Sequence, residues 1–222
     1  MPNTRKANRS VSIKTKGVFD VFERGLIRGE ASFKHKPDKK VFYVQHPTEG
    51  WRVFLRAVCF IHEEGQESAG RFVVLKKSGA DPSGPVWEAP KGQMEGKDGL
   101  AHPRWSILKL LEQNIRREVK EEAKIDRFLS LEHLPNLVIQ SKESEYGEQD
   151  YLQYHVFRAI VKPSIIQKAR DTFTYYREHP EEFAKLSSDD NEKDAIAFYH
   201  SRYTKLMGKW SPTLVRLYLK SA

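Results

Sequence analysis

The run from Ser106 to Ala123 holds neither proline nor glycine, so it can form one uninterrupted helix. At about 100° per residue, Ile107, Leu110, Leu111, Ile115 and Val119 fall on one side of that helix. Lys109, Gln113, Arg116, Lys120 and Lys124 fall on the opposite, solvated side. Glu118, Glu121 and Glu122 stand at i, i+3 and i+4, where side chains are neighbours. They continue the apolar stripe toward the body of the protein. Like charges so spaced cost a few tenths of a kcal/mol each on an exposed helix and more once desolvated. A divalent cation removes that repulsion, and carboxylate oxygens suit Mg²⁺ or Mn²⁺, with phosphate oxygens filling the remaining positions. A solvated charge run is the ordinary reading of acids on a helix, and the inward placement weighs against it.

Arg117-Glu118-Val119-Lys120-Glu121-Glu122-Ala123, with Ile125 behind it, resembles the second half of the Nudix hydrolase box, Arg-Glu-apolar-X-Glu-Glu-X-Gly-apolar. Trp87-Glu88-Ala89-Pro90-Lys91-Gly92 looks like the loop that opens that box. The chain departs from the pattern twice. Residues 93–116 separate Gly92 from Arg117, an insertion that leaves the Glu of the first half without a unique counterpart; Asp98, Glu112 and Glu95 all compete. Lys124 stands where the family closes with glycine. A left-handed backbone there costs a lysine about 1–2 kcal/mol, so a locally rebuilt helix end is expected.

The resemblance implies an α/β fold, a Nudix-like α/β/α sandwich with a mixed sheet, here with extra C-terminal helices. It implies hydrolysis of a nucleoside diphosphate linked to a further group, with Mg²⁺ or Mn²⁺ as cofactor. In the family's terms Glu118, Glu121 and Glu122 are metal ligands, joined by the backbone carbonyl of Lys91. Gly92 lets the loop approach the ion, and Arg117 orients the carboxylates. Glu122 or Glu121 serves as general base through a metal-bound water. The family often adds an acid from a downstream loop: Glu192 is the first choice, with Glu145 and Glu148 competing. Three acids this close titrate as a coupled set without metal.

A chain of 222 residues with 39% hydrophobic content can bury a core and supports one α/β domain with insertions. The expected layout is a basic, flexible arm over 1–16 and a single domain over 17–222, with a loop insertion near 96–105 and a helical insertion near 164–187. The arm holds Arg5, Lys6, Arg9, Lys14 and Lys16 and no acid. It reads as a frayed terminus, a nucleic-acid contact or an organelle-targeting segment. No apolar run approaches the roughly 20 residues of a membrane helix. The single cysteine, Cys59, reads as a buried free thiol in a reducing compartment, the cytoplasm.

Along the chain, Val18–Ile27 carries a short helical pattern and Lys34–Lys40 a basic turn around Pro37. In the strand pattern from Trp51 to Ile61, Val53, Leu55, Ala57, Cys59 and Ile61 share one face, and Arg52, Phe54 and Arg56 the other. Arg52 and Arg56 flanking an aromatic either hold phosphates beside a stacked base or make cross-strand salt bridges. In the inserted loop, Trp105 either stacks on a base or anchors the loop, and Arg104 can meet a phosphate. Strands are expected at 137–139, 151–161 and 195–199, and helices at 165–176, 181–186 and 212–219.

The net charge of +8 favours a polyanionic partner. The leading expectation is hydrolysis at an RNA 5′ end, cap or triphosphate, with RNA contacts through the basic surface. A small substrate (dinucleoside polyphosphate, nucleotide sugar, modified nucleotide or inositol pyrophosphate) is the alternative, as is a non-catalytic Nudix-fold protein that binds RNA or an assembly.

Overall fold

The computed structural model describes residues 11–12, 17–33, 36–142 and 147–221. In chain order the elements are β1 (Val11–Ser12), β2 (Ile27–Phe33), β3 (Lys36–Gln45), β4 (Arg52–Glu63), β5 (Val73–Lys77), β6 (Trp87–Glu88) and β7 (Lys91–Gln93). They continue as α1 (Gly96–Leu100), α2 (Ile107–Ala123), β8 (Ser130–Lys142), β9 (Asp150–Val161), α3 (Pro163–Glu178), α4 (Pro180–Ala184), β10 (Lys193–Phe198) and α5 (Ser211–Ser221). The α/β class and the helices following the last long strand match the sequence reading. One sheet has the order β1-β8-β9-β4-β3-β2, with β7 beside β4, and a second has the order β10-β5-β6. Among the described residues no helix is long and apolar enough to cross a membrane.

The chain divides into two compact units, each assembled from three segments. One comprises Met1–Ala57, Gly92–Asn114 and Pro135–Val156, and the other Val58–Lys91, Ile115–Leu134 and Phe157–Ala222.

In the first unit, Val53, Phe54 and Leu55 of β4 are all at most 1% exposed, so both faces of this strand are covered and the two-faced pattern becomes continuous burial. The helix expected over Val18–Ile27 is absent; residues 17–26 are turn and loop. One distant side chain takes the Phe19 carbonyl that a helical bond would use, and another takes the Phe19 N–H. Phe19 N–H donates to Gln140 Oε1 at 3.0 Å and Phe19 carbonyl accepts from Gln153 Nε2 at 2.9 Å, while the Phe19 ring stacks on Trp51 at 4.5 Å. Pro37 lies within β3 and not in a turn. The β2–β3 register shifts between Ser32 and Phe33, and a residue without an N–H is tolerated at such an irregularity. Of the basic arm only Val11–Ser12 are described, and they pair antiparallel with β8 at Ile139 and Val138; the rest of 1–16 lies outside the described residues.

The inserted loop is pinned within this unit. A Cβ on Gly99 would meet the Phe42 ring at 2.0 Å, so α1 packs at a distance only glycine allows. Arg28 donates to the carbonyls of His102 (3.3 Å), Pro103 (3.0 Å) and Trp105 (2.5 Å).

In the second unit, α5 docks by its C-terminal aromatic. Tyr218 stacks on Phe60 at 3.9 Å with an interplanar angle of 2°, and its hydroxyl lies 2.6 Å from His62 Nε2. His62 Nδ1 is 2.8 Å from the Arg71 carbonyl. A carbonyl only accepts, so Nδ1 carries the proton and Nε2 accepts from Tyr218. Burial lowers the His62 pKa and raises that of Tyr218 to about 12, which keeps this pair neutral.

Candidate active site

The expected apolar stripe of α2 is buried: Ile107, Leu110, Leu111, Ile115 and Val119 range from 8% exposed to fully enclosed. Lys109, Gln113, Arg116 and Lys120 are exposed. Lys124 is not, contrary to the sequence expectation. The helix ends at Ala123 and Lys124 adopts φ +58°, so the helix end is left-handed at a lysine and is not rebuilt. This turns the side chain inward, where Nζ donates to the carbonyls of Glu121 and Asp190, each at 2.6 Å. Two charge-assisted bonds offset the backbone strain.

The last turns of α2 belong to the second unit and carry the acids. Arg117 reaches both of its acidic neighbours, Nη1 donating to Glu121 Oε2 at 2.7 Å and Nη2 to Glu118 Oε1 at 2.8 Å. Arg117, expected to orient the carboxylates, forks between these two. Glu121 is raised above the usual carboxylate range by burial; Arg117 pulls against that, and Asp189 and Asp190 reinforce it.

Glu122 sits elsewhere. It is 4% exposed and its Oε2 accepts the Lys91 backbone N–H at 2.9 Å, while Oε1 lies 3.1 Å from Lys193 Nζ. Lys193 also lies 2.5 Å from Glu88 Oε1. Glu88 Oε2 is 2.5 Å from Lys91 Nζ and accepts from Ser211 Oγ at 3.1 Å. Two carboxylates and two ammonium groups thus neutralise each other in a site where an unpaired ion costs several kcal/mol. Burial opposes the Lys193 charge, but Glu122 and Glu88 outweigh it and hold its pKa above the usual lysine range. For Glu88 burial opposes ionisation and Lys91 with Lys193 prevails, so its pKa is lowered. Glu88, Lys193 and Ser211 escaped the sequence reading. The available signals were Glu88 inside the box-opening loop and a lone lysine heading the apolar run Ala195–Phe198.

The other candidates divide between the units. Glu192 is exposed, and its carbonyl accepts from Ser78 N–H at 2.8 Å; its neighbour Lys193 is the residue turned toward Glu122. Glu148 is exposed, and Glu145 lies outside the described residues. Gly92 follows Lys91 in β7. In the first unit, Arg52 makes a two-pronged pair with Asp150 at 2.8 and 2.6 Å and lies over the Tyr43 ring at 4.8 Å, the salt-bridge alternative. Arg56 donates to Tyr154 Oη and Gln93 Oε1, each at 2.9 Å. Trp105 stacks on His102 at 3.9 Å and receives Lys109 Nζ at 4.0 Å, the anchoring alternative. Arg104 is exposed. Glu95 is paired with Lys39 and Lys97, each at 3.0 Å.

Carboxylate oxygens are the donors a hard divalent cation takes. Glu118 and Glu121 are already engaged by Arg117, and Glu122 by Lys193 and the Lys91 N–H, so the expected set of three metal ligands is divided between two ion-pair groups. Among the described residues no three His, Cys, Asp or Glu side chains are grouped so as to hold a metal ion; the acids rest instead on internal cations.

No family model matches the chain, and no curated protein does. Among solved structures, the chain is similar to a NUDIX hydrolase from Nitrosomonas europaea, with 12% identity and a TM-score of 0.36 over 76% of this chain and 89% of that one.

Proposed function

We propose that this chain is a divalent-cation-dependent hydrolase of the pyrophosphate bridge in a nucleoside-diphosphate-linked substrate, with an RNA 5′ cap or triphosphate as the favoured substrate. The observation that carries this reading is the 2.9 Å bond from Lys91 N–H to Glu122. It joins the box-opening loop to the acidic helix although residues 92–121 lie between them. A bound cation would neutralise the phosphate oxygens that gain charge. Glu121, with 22% of its side chain exposed and its pKa raised, accepts the proton of the attacking water; a carboxylate so tuned is a better base near neutrality. The water oxygen bonds to one phosphorus, the bond from that phosphorus to the bridging oxygen breaks, and the other phosphate departs with that oxygen. Glu122, saturated by Lys193 and Lys91, holds the loop in place.

The RNA preference draws support from the first unit. A cavity of about 470 Å³ is lined by Arg24, Arg28, Arg104 and Trp105, and the chain as a whole carries +8. The buried thiol of Cys59 suits a reducing compartment such as the cytoplasm. The Lys193 ammonium on Glu122 favours a second reading, a non-catalytic RNA-binding protein whose acids are permanently paired.

The test is a screen of capped RNA, triphosphate RNA and free cap dinucleotide with Mg²⁺ and Mn²⁺, for the wild type and Glu121→Gln. The proposal expects hydrolysis by the wild type, its collapse in the variant, RNA binding in both, and a long-substrate preference that weakens with salt. RNA binding with no hydrolysis by the wild type would select the second reading.

A further inference from the structure

The sheet β10-β5-β6 has two faces with different tasks. In its register Leu75 pairs with Glu88 and with Ile196, and Lys76 pairs with Trp87 and with Ala195. Successive strand residues point to opposite faces, so Leu75 and Glu88 lie on the face that meets Lys193 and Glu122. The cross-strand row Ala195–Lys76–Trp87 lies on the other. That row floors a cavity of about 550 Å³, within the size range of small-molecule sites. The walls come from α3 and α4 and include Tyr176 and Phe183, whose rings stand 5.5 Å apart.

The lining restricts what can bind. Trp87 Nε1 already donates to the Pro82 carbonyl at 3.2 Å, which leaves the indole face as its contribution. Lys76 Nζ is bound to the Ala80 carbonyl at 2.8 Å and to Asp194 Oδ2 at 2.9 Å, so the floor is a neutralised ion pair. A hydrocarbon laid over that pair would strip its water without replacing it. A flat ring bearing nitrogen and amino groups can stack on the aromatics and still bond to the pair. Arg177 is exposed at the rim, with Nη2 donating to Thr174 Oγ1 at 3.2 Å, and its fork suits a phosphate.

We propose that this cavity binds a nucleotide, with its base against Trp87, Tyr176 and Phe183 and its phosphate on Arg177. Because it opens on the sheet face opposite Glu88, the site is distinct from the acidic centre and does not depend on the function proposed for that centre.

Calorimetric titration of the full chain with AMP, GMP, adenosine and ribose 5-phosphate, in EDTA so that no metal bridges phosphate to the acids, tests this. The expected result is saturable binding of a nucleoside monophosphate, at least tenfold tighter than adenosine or ribose 5-phosphate. Tyr176→Ala and Arg177→Glu each weaken it tenfold or more, and Glu121→Gln leaves it unchanged. The Arg177 change is at an exposed position and keeps the test valid if the Tyr176 variant fails to fold. No saturable binding at millimolar nucleotide, equal binding of adenosine and AMP, or a loss in Glu121→Gln that Arg177→Glu does not share would overturn the proposal.

Discussion

Lys193 places its ammonium 3.1 Å from Glu122 Oε1 and 2.5 Å from Glu88 Oε1, inside a pocket of residues that are at most 4% exposed. Removing one partner of such a pair strands the other. Lys193→Met should therefore destabilise the protein by about 3–5 kcal/mol. The double variant Lys193→Met/Glu122→Gln should recover part of that loss, because the stranded charge is gone. Urea unfolding of these two variants and of Glu122→Gln alone measures it, and losses that simply add would show that the contact contributes nothing.

Lys124 is held at φ +58° by bonds from its ammonium to two carbonyls. Lys124→Gly relieves about 1–2 kcal/mol of backbone strain while losing those bonds, so its stability should lie near that of the wild type. Lys124→Ala loses the bonds and keeps the strain, and should be less stable than the glycine variant by at least about 1 kcal/mol. An alanine variant equal to or better than glycine in chemical denaturation would contradict this.

The pH dependence follows from opposite shifts. Burial raises Glu121, so its contribution to stability is present below its unfolded pKa and is lost as pH rises through the folded value. Glu88 is lowered, so its contribution is present above its unfolded pKa and is lost as pH falls through the folded value. Glu121→Gln should raise the melting temperature at pH 7 and change it little at pH 4, whereas Glu88→Gln should lower it at pH 7 and lose less on further acidification. Melting curves across pH 3–8 read both, and the same pH slope in either variant as in the wild type would refute the assignment.

Tyr218→Phe removes the donor to His62 Nε2 inside a stack that is otherwise unchanged. An unpaired buried acceptor costs about 1–3 kcal/mol, expected as a lower urea midpoint with an unaltered slope. A midpoint equal to the wild type would mean that the histidine finds another donor.

Arg104 and Arg52 should separate in RNA binding. Arg104 is exposed, and its replacement by alanine should weaken RNA binding and flatten the salt slope by about one while leaving stability alone. Arg52 is committed to Asp150, so Arg52→Ala should cost stability and leave the salt slope unchanged. Fluorescence titrations over a salt series, with melts beside them, distinguish the two.

The helix of residues 107–123, the inward position of its acids and the strand through Cys59 were legible in the sequence because they are periodic. Burial of an apolar stripe every 3.6 residues needs no knowledge of what lies opposite, whereas the expected alternation along β4 gave way to burial of both faces. Which cation meets which acid was not legible. Lys193 and Glu88 are far apart in the chain, and only the packing of β10 beside β5, and of β5 beside β6, brings them together. The loop over 17–26 illustrates the same limit: its helical spacing was real, but Gln140 and Gln153 from remote strands claim the Phe19 backbone. Local spacing determined where the charges and apolar faces of this chain lie. Tertiary structure decided their partners, because removal from water makes each buried charge take an opposite charge from whichever segment the fold places within reach.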